Sequence, residues 1–509
     1  MSAYISSGER KLSLEELGLR AARAATGFSE LGVVEGDSVA LLMRNDLAFI
    51  EATVAAGLLG AYSVPVNWHF KGAEAGYVIA DCGANVVLAH ADLLGGLDGH
   101  MPDGVTVLAV ATPPEIQAAY GISDGDARVP DGLAVWEDWR DGFAPWQAPA
   151  LDARGSMIYT SGTTGRPKGV RRDPATPELL EMMMGRVATT FGVRPGARTV
   201  MTGPLYHSAP NAYGRITLMA GASMILTPRF DAEGLLRLID EEKITHMHMV
   251  PTMFIRLLRL PDDVRAKYDL SSLEHVIHGA APCPPEVKRA MIEWWGPVIH
   301  EYYGSTEVGL ITAASSADAL AHPGTVGRAL NGVTVRVYGD DGQPVAAGEA
   351  GEIYVSLENQ NDFTYHNDDA KRRSIERDGM VTNGDIGYFD ADGYLYLRDR
   401  KNDMVISGGV NIYPAEIEAV LIQLDGVRDC AVFGIPDSEY GEALAAAIEP
   451  APGAQLDDIA VRSYLSEHLA KYKVPKVVTF HDAMPREDSG KIFKRRLREP
   501  YWRDAGRQI

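Results

Sequence analysis

Over the first three hundred residues, short apolar runs and helical patterns take turns along the chain. Ser13 and Glu16 form a capping-box pattern, and Leu17, Ala21, Ala24, Phe28 and Leu31 then fall on one helical face. Gly36 and Asp37 stop that helix. SVALLM at residues 38–43 reads as a buried strand, followed by helix at 47–59, strand at 62–66, helix near 73–81 and strand at 85–88. The alternation returns between 199 and 310, with strands at 224–226 and 247–250 around a helix at 232–242. Strands separated by helices pair in parallel, because each return crossing consumes a helix, and both faces of the sheet become covered. The expected fold class is α/β, with large parallel sheets.

After about Gly324 the texture changes. Residues 333–338, 351–356 and 393–397 are short, β-rich and punctuated by the turns Asp341-Gly342 and Asp392-Gly393, which suit hairpins. A third texture follows Arg400, with helices at 414–424 and 460–469 and strands at 429–433 and 444–448. The expected division is an N-terminal domain of residues 1–400, β-rich from about 324, and a small α/β C-terminal domain of 401–509, with the joint at 398–403.

Charge removes some functions from consideration. A net charge of −21 repels polyanions, so nucleic acid and anionic membrane surfaces are not expected partners. Small phosphates stay admissible, since local loops capture them. Cys82, Cys283 and Cys430 lie far apart, without zinc spacing, and fit reduced thiols. Glu9, Arg10, Lys11, Glu15, Glu16 and Arg20 leave no apolar leader core, and no apolar run is long enough to span a bilayer. A cytoplasmic protein without integral membrane association is expected, and a homodimer stays open.

The string YTSGTTGRPKGV at 159–170 is the most informative stretch. Glycines let backbone N–H groups converge on an anion, hydroxyls add donors, and Lys168 supplies charge. Such a loop alone is also what a flexible turn looks like. It is not a Walker A loop, because Pro167 precedes Lys168 and Gly169 follows it. A dinucleotide fingerprint is absent as well, which removes the dehydrogenase reading.

The string resembles the signature loop of the adenylate-forming superfamily, which holds acyl- and aryl-CoA synthetases, nonribosomal peptide adenylation domains and firefly-type luciferases. The resemblance covers almost the whole chain, with motifs in the same order. It implies an acyl-CoA synthetase that uses ATP, Mg²⁺ and coenzyme A to activate a small-molecule carboxylic acid. Thr160, Ser161, Gly162, Thr163, Thr164, Gly165 and Lys168 would then hold phosphates, with Thr163 counted among the catalytic residues.

Further strings carry the remaining implied roles. HGAAPCP at 278–284 would pack Gly279, Ala280, Ala281 and Pro282 against adenine. In EYYGSTEVG at 301–309, Tyr302, Tyr303, Gly304, Ser305 and Thr306 would line the nucleotide, with Tyr303 stacked on adenine and Thr306 on phosphate. Glu307 would ligate Mg²⁺, a hard cation that takes carboxylate oxygens and few protein ligands. Asp385 and Arg400 are expected on the ribose, whereas Asp390 and Asp392 read as turn chemistry. The hinge position falls on Asn402, where the superfamily has Asp or Lys more often.

The resemblance also makes the C-terminal domain mobile. Lys491, in PREDSGKIFKRRL at 485–497, would bridge the carboxylate and the α-phosphate, while Lys494, Arg495, Arg496 and Arg498 read as solvated charge. After rotation, Ser407, Gly408 and Gly409 would line the pantetheine tunnel, and Tyr440, Tyr472 and Lys476 would hold the CoA nucleotide. PLYHSAPNAYG at 204–214 resembles one wall of the acyl pocket, with His207 as an orienting residue. Ser208, Ala209, Ala280, Gly304 and Leu310 would complete that pocket. Most are small, which disfavours acetate and admits medium- or long-chain, aryl-alkanoic or polycyclic acids.

Three rivals stay open. An acyl-AMP ligase would load a carrier protein, and a luciferase-like oxygenase would share the adenylation strings. A non-catalytic nucleotide-binding regulator would be expected to lose Lys168, Glu307 or Lys491, and all three are present.

Overall fold

The computed structural model describes residues 3–152, 154–160, 167–358, 361–401, 403–407, 410–437, 440–486 and 492–503. The chain forms two compact units. The first comprises Met1–Ala280, Ala290–Leu310 and Leu357–Glu376, and the second Ala281–Arg289, Ile311–Ser356 and Arg377–Ile509.

Two parallel sheets organise the first unit, as the alternation requires. In one, the strands run Tyr62–Pro65, Ser38–Leu42, Val86–His90, Thr106–Val110 and Ala134–Val135, all parallel. In the other, Tyr4–Ser7, Ser223–Leu226, Arg198–Met201, His246–Met249, His275–His278 and Ile299–Ser305 lie side by side, again parallel. Near-continuous apolar strands are what two covered faces demand, and all five residues of both Ser38–Leu42 and Val86–His90 are buried. Tyr4–Ser7 and the antiparallel Arg10–Ser13 were not legible, because two four-residue strands leave too little pattern.

The first helix, Leu14–Glu30, begins where expected, with the Ser13 hydroxyl accepting from Glu16 N at 3.0 Å. Glu16 itself turns to Arg20 at 2.6 Å. Leu17, Ala21, Ala24 and Phe28 are buried along one face. Phe28 meets Trp136 and Trp139 of the helix Trp136–Asp141, with ring centres 5.9 and 5.6 Å away.

A third, antiparallel sheet in this unit joins Ile158–Thr160, Lys168–Arg172 and Phe363–Tyr365. Thr160 pairs directly with Lys168, so the glycine-rich string leaves and re-enters the sheet at opposed positions.

The second unit contains the antiparallel strands Thr325–Ala329, Leu395–Arg400, Met380–Phe389 and Gly351–Leu357. Its hairpin turn uses Asp392-Gly393 as the sequence suggests: Asp390 Oδ1 accepts from Asp392 N at 3.0 Å and Tyr394 N at 2.8 Å, and Gly393 has φ +80°. Beyond it lies the expected small α/β arrangement. Val427–Asp437 and Gly441–Pro450 pair antiparallel, Val477–Phe480 adds in parallel, and the helices Pro414–Leu421 and Asp458–His468 complete it. Ile417, Leu421, Val432, Ala446, Ile448, Val461 and Leu465 form its core.

The three cysteines are buried and none is in a disulfide. Among the described residues, no helix is long and apolar enough to cross a membrane.

One buried polar network in the first unit tests how that unit is held together. Glu51, 1% exposed, accepts from Trp136 Nε1 at 3.0 Å and Arg140 Nη1 at 2.6 Å. Glu51→Ala removes the acceptor of Trp136 Nε1 and Arg140 Nη1, although Asp141 still accepts from Arg140 Nε at 2.9 Å, and removing one partner of a buried ion pair costs about 3–5 kcal/mol. The urea midpoint should fall clearly for Glu51→Ala and less for Glu51→Gln, which keeps an acceptor.

Candidate functional site

The first unit collects the phosphate, adenine and acyl strings. Met201 pairs with His248, Met249 with His278, and His278 with Glu301, all in parallel. The ends of these strands and the segments after them carry His207, Gly279–Ala280 and Tyr302–Glu307, so parallel pairing delivers them at the same ends of neighbouring strands.

Close approach explains the glycines. A Cβ on Gly279 would lie 2.6 Å from the Tyr302 ring, and one on Gly304 would lie 2.3 Å from the Gly309 carbonyl oxygen. Neither position tolerates a side chain without backbone movement. Ala280 has φ +67°, a left-handed conformation that costs an alanine energy and clusters at functional loops.

Thr306 Oγ1 donates to Ser208 Oγ at 2.9 Å, joining the expected phosphate threonine to the first residue of the helix Ser208–Met219, the one expected along the acyl pocket. His207 is the N-cap residue of that helix, its ring 4.3 Å from the Tyr206 ring. Tyr302 is buried, and its hydroxyl lies 3.0 Å from His248 Nε2. Tyr303 and Leu310 are each 8% exposed. Ser305 Oγ accepts from Val308 N at 3.1 Å, fixing the turn that carries Glu307.

Three positioning residues escaped the sequence reading. Buried Asn45 accepts from Leu205 N at 2.8 Å and donates to Gly203 O at 3.0 Å, pinning the segment before His207. Its signal was the polar trio Arg44-Asn45-Asp46 directly after a buried strand. Arg172 donates to the carbonyls of Asn361, at 2.6 Å, and Glu307. Burial draws the pKa of Arg172 down to about 10, against the pull of Asp362 and Glu307. Tyr365 donates to Glu307 Oε1 at 3.2 Å, and burial followed by the Glu307 charge raises its phenol above the ordinary range. Glu307 is thus held on both main chain and side chain, an oxygen donor suited to a hard cation such as Mg²⁺.

Lys168 pairs with Asp368, and that hydrogen bond is the largest influence holding the Asp368 carboxyl below its ordinary range.

In the second unit, Asp385 and Arg400 are cross-strand partners, with Arg400 Nε 3.4 Å from Asp385 Oδ1. Ala281 and Pro282 also belong to this unit. Ser407 pairs with Gly441, next to Tyr440. Lys476 Nζ lies 5.0 Å from the centre of the Tyr440 ring and 2.6 Å from Asp437 Oδ2. Tyr440 and Tyr472 are 45% and 55% exposed. Ser161–Gly165, Asn402, Gly408, Gly409 and Lys491 lie outside the described residues. The chain flanking Lys491 is anchored, since Arg486 bridges to Ile492 and pairs with Asp429, and Phe493 N donates to Pro485 O at 2.8 Å.

The reading of Lys494 as solvated charge is corrected. It is largely buried and lies 2.8 Å from Glu418 Oε1, which also accepts from Val432 N at 2.6 Å. A basic tail offers no sequence cue that one of its cations turns inward onto a helix acid.

Residues 1–360 match the family described as AMP-binding enzyme, and residues 416–491 match the AMP-binding enzyme C-terminal domain. The chain is 33% identical over 506 residues to the long-chain-fatty-acid–CoA ligase FadD13 of Mycobacterium tuberculosis, covering 98% of this chain and 95% of that one. It is 34% identical over 499 residues to a feruloyl-CoA synthase of Amycolatopsis sp., covering 97% and 95%. Among solved structures, ATP-bound MatB from Rhodopseudomonas palustris superposes with a TM-score of 0.84 at 29% identity, covering 99% and 97%.

His248 gives this site a pH signature. Burial lowers its pKa from 6.5 to about 4, so the folded state resists the protonation that an unfolded chain accepts. Stability from this group is present above pH 6.5 and drains away as pH falls toward 4, by on the order of 3 kcal/mol. His248→Gln should flatten that part of the denaturation midpoint against pH.

Proposed function

We propose, from the premise that the chain belongs to the AMP-binding enzyme family and is an AMP-forming acyl-CoA synthetase, that it activates a medium- or long-chain, aryl-alkanoic or polycyclic carboxylic acid. ATP and coenzyme A are its co-substrates and Mg²⁺ its metal. The observation that carries the site assignment is the hydrogen bond from Thr306 to Ser208, since it ties a phosphate residue to the helix expected along the acid.

In the first half-reaction a carboxylate oxygen attacks the α-phosphorus of ATP, and pyrophosphate leaves. The obstacle is repulsion between anions, so catalysis rests on positioned donors and charge. Lys168 and the hydroxyls of the 161–165 string would take the terminal phosphates, and Asp385 and Arg400 the ribose. Glu307 would hold Mg²⁺, which when bound screens phosphate charge. Lys491 would neutralise the charge shared by carboxylate and α-phosphate.

In the second half-reaction the CoA sulfur attacks the acyl carbon and AMP leaves. Residues 401–509 would turn about Asn402 to exchange Lys491 for Ser407, Gly408 and Gly409, with Tyr440, Tyr472 and Lys476 on the CoA nucleotide. Small residues at Ser208, Ala209, Ala280 and Gly304 leave room for a bulky acid, and the acids in the relatives' names support that class.

A panel of acids with MgATP, with and without CoA, tests the reading by separate assays of pyrophosphate and thioester. Thioester should require acid, ATP and CoA together; pyrophosphate without thioester would favour the carrier-loading rival. Lys491→Ala should slow adenylation by ~10²–10³ and spare transfer from supplied acyl-adenylate. Equal losses in both half-reactions would contradict the role given to Lys491.

A further inference from the structure

A guanidinium cannot shed its charge, so an arginine placed deep in a protein needs an anion or a set of carbonyls. The deep arginines of the first unit obey this. Arg140 has Glu51 at 2.6 Å, Arg44 has Asp92 at 2.9 Å, and Arg172 has two carbonyls. Arg215 does not. Burial is the one influence on its pKa, which it lowers, and no carboxylate, carbonyl or aromatic ring engages it among the described residues. The residue is nevertheless only partly covered, so the guanidinium can be reached from outside.

Its place in the fold gives that partial exposure a meaning. Arg215 stands on the helix Ser208–Met219, seven residues after Ser208. Seven residues make almost two full turns, so the two positions share a face about 10 Å apart. Ser208 looks toward the phosphate string, because its hydroxyl accepts from Thr306. Gly155 lies beside the guanidinium: a Cβ built there would be in ordinary contact with Arg215 Nη1, at 3.4 Å.

We propose that Arg215 is the subsite for the distal end of the acid, and that the preferred substrate is a medium-length dicarboxylate. Its reacting carboxylate lies by His207 and Ser208, and its second carboxylate supplies the anion that Arg215 lacks. This rests on the reading above that the helix Ser208–Met219 lines the acyl pocket. A forked guanidinium–carboxylate pair also explains the choice of arginine at a position where an apolar acid would be served by leucine.

The test compares α,ω-dicarboxylates from succinate to dodecanedioate with monoacids of equal carbon number, scoring thioester formation by the full-length protein. At the best length, wild type should favour the diacid by about ten- to a hundredfold in kcat/KM, the worth of a charge-assisted hydrogen-bonded pair. Arg215→Met should remove that preference mainly through KM and improve the matched monoacid. Should that variant fail to fold, Arg215→Lys carries the test: it keeps the charge but not the fork, so KM for the diacid must rise several-fold. A wild type that prefers monoacids at every length, or a diacid KM unmoved in either variant, overturns the subsite and leaves the synthetase reading standing. No thioester from any acid overturns both.

Discussion

Parallel pairing in register is the constraint on which the first unit's site depends. His246–Met249, His275–His278 and Ile299–Ser305 run the same way, so their outgoing segments must emerge together. Those strand ends and segments carry the loop expected at adenine and the string that runs to Glu307. A one-residue slip would turn every buried strand side chain to the opposite face, and burial on both sides resists it. The chemistry-bearing loops can therefore be irregular, and even strained at Ala280, without being free to wander. Asn45 and Arg172 tighten the arrangement by hydrogen-bonding loop carbonyls that the sheet itself leaves unpaired.

A chain with net charge −21 must still concentrate cations where phosphates bind. Lys168 is held on Asp368 and Lys476 on Asp437, the two cations expected at phosphates, and the same pairing recurs in Arg400 beside Asp385 and Lys494 on Glu418. Partial removal from water has already been met for the more covered of these groups, so an arriving phosphate would exchange one anion for another rather than desolvate a free ammonium. Asp399 belongs to the same pattern. Burial pushes its carboxyl up to about 6, opposed by Lys494, while its oxygens accept from Arg400 N at 2.7 Å and from Ala415 N at 3.0 Å. The second of these contacts ties the strand Leu395–Arg400 to the first turn of the helix Pro414–Leu421.

Much of this was legible in the sequence, for a physical reason. Parallel sheets write themselves as apolar runs between helical periods, and the strand and helix limits in 38–90 and 223–249 fall within a residue or two of expectation. Loops that must approach other backbone closely need glycine, which is why Gly279 and Gly304 stand out. Pairing between distant segments leaves no local trace. Asp385 and Arg400 could be singled out only by resemblance, since a hairpin aspartate and a strand arginine look ordinary until the register sets them opposite each other. Lys494 misled for the converse reason, as its neighbours are solvated charge and burial is decided by Glu418, seventy-six residues earlier in sequence.

The same contrast separates what the fold fixes from what it leaves adjustable. Where backbone groups or glycines make the contact, substitution disturbs a strand end, and the position is bound to the architecture. The acyl helix differs. Asn211 anchors it to the main chain, accepting from Ser156 Oγ at 2.9 Å and donating to Leu205 O at 3.0 Å. Tyr213, Gly214, Ile216 and Thr217 pack its inner face. Its remaining face is held by none of these contacts, so side chains there can change volume or charge without moving the nucleotide loops. Acid selection can then vary among chains that share one scaffold, and Arg215, one turn beyond Asn211 on the same side of the helix, can stand without a partner among the described residues because Asn211 and the buried inner face hold the helix in place.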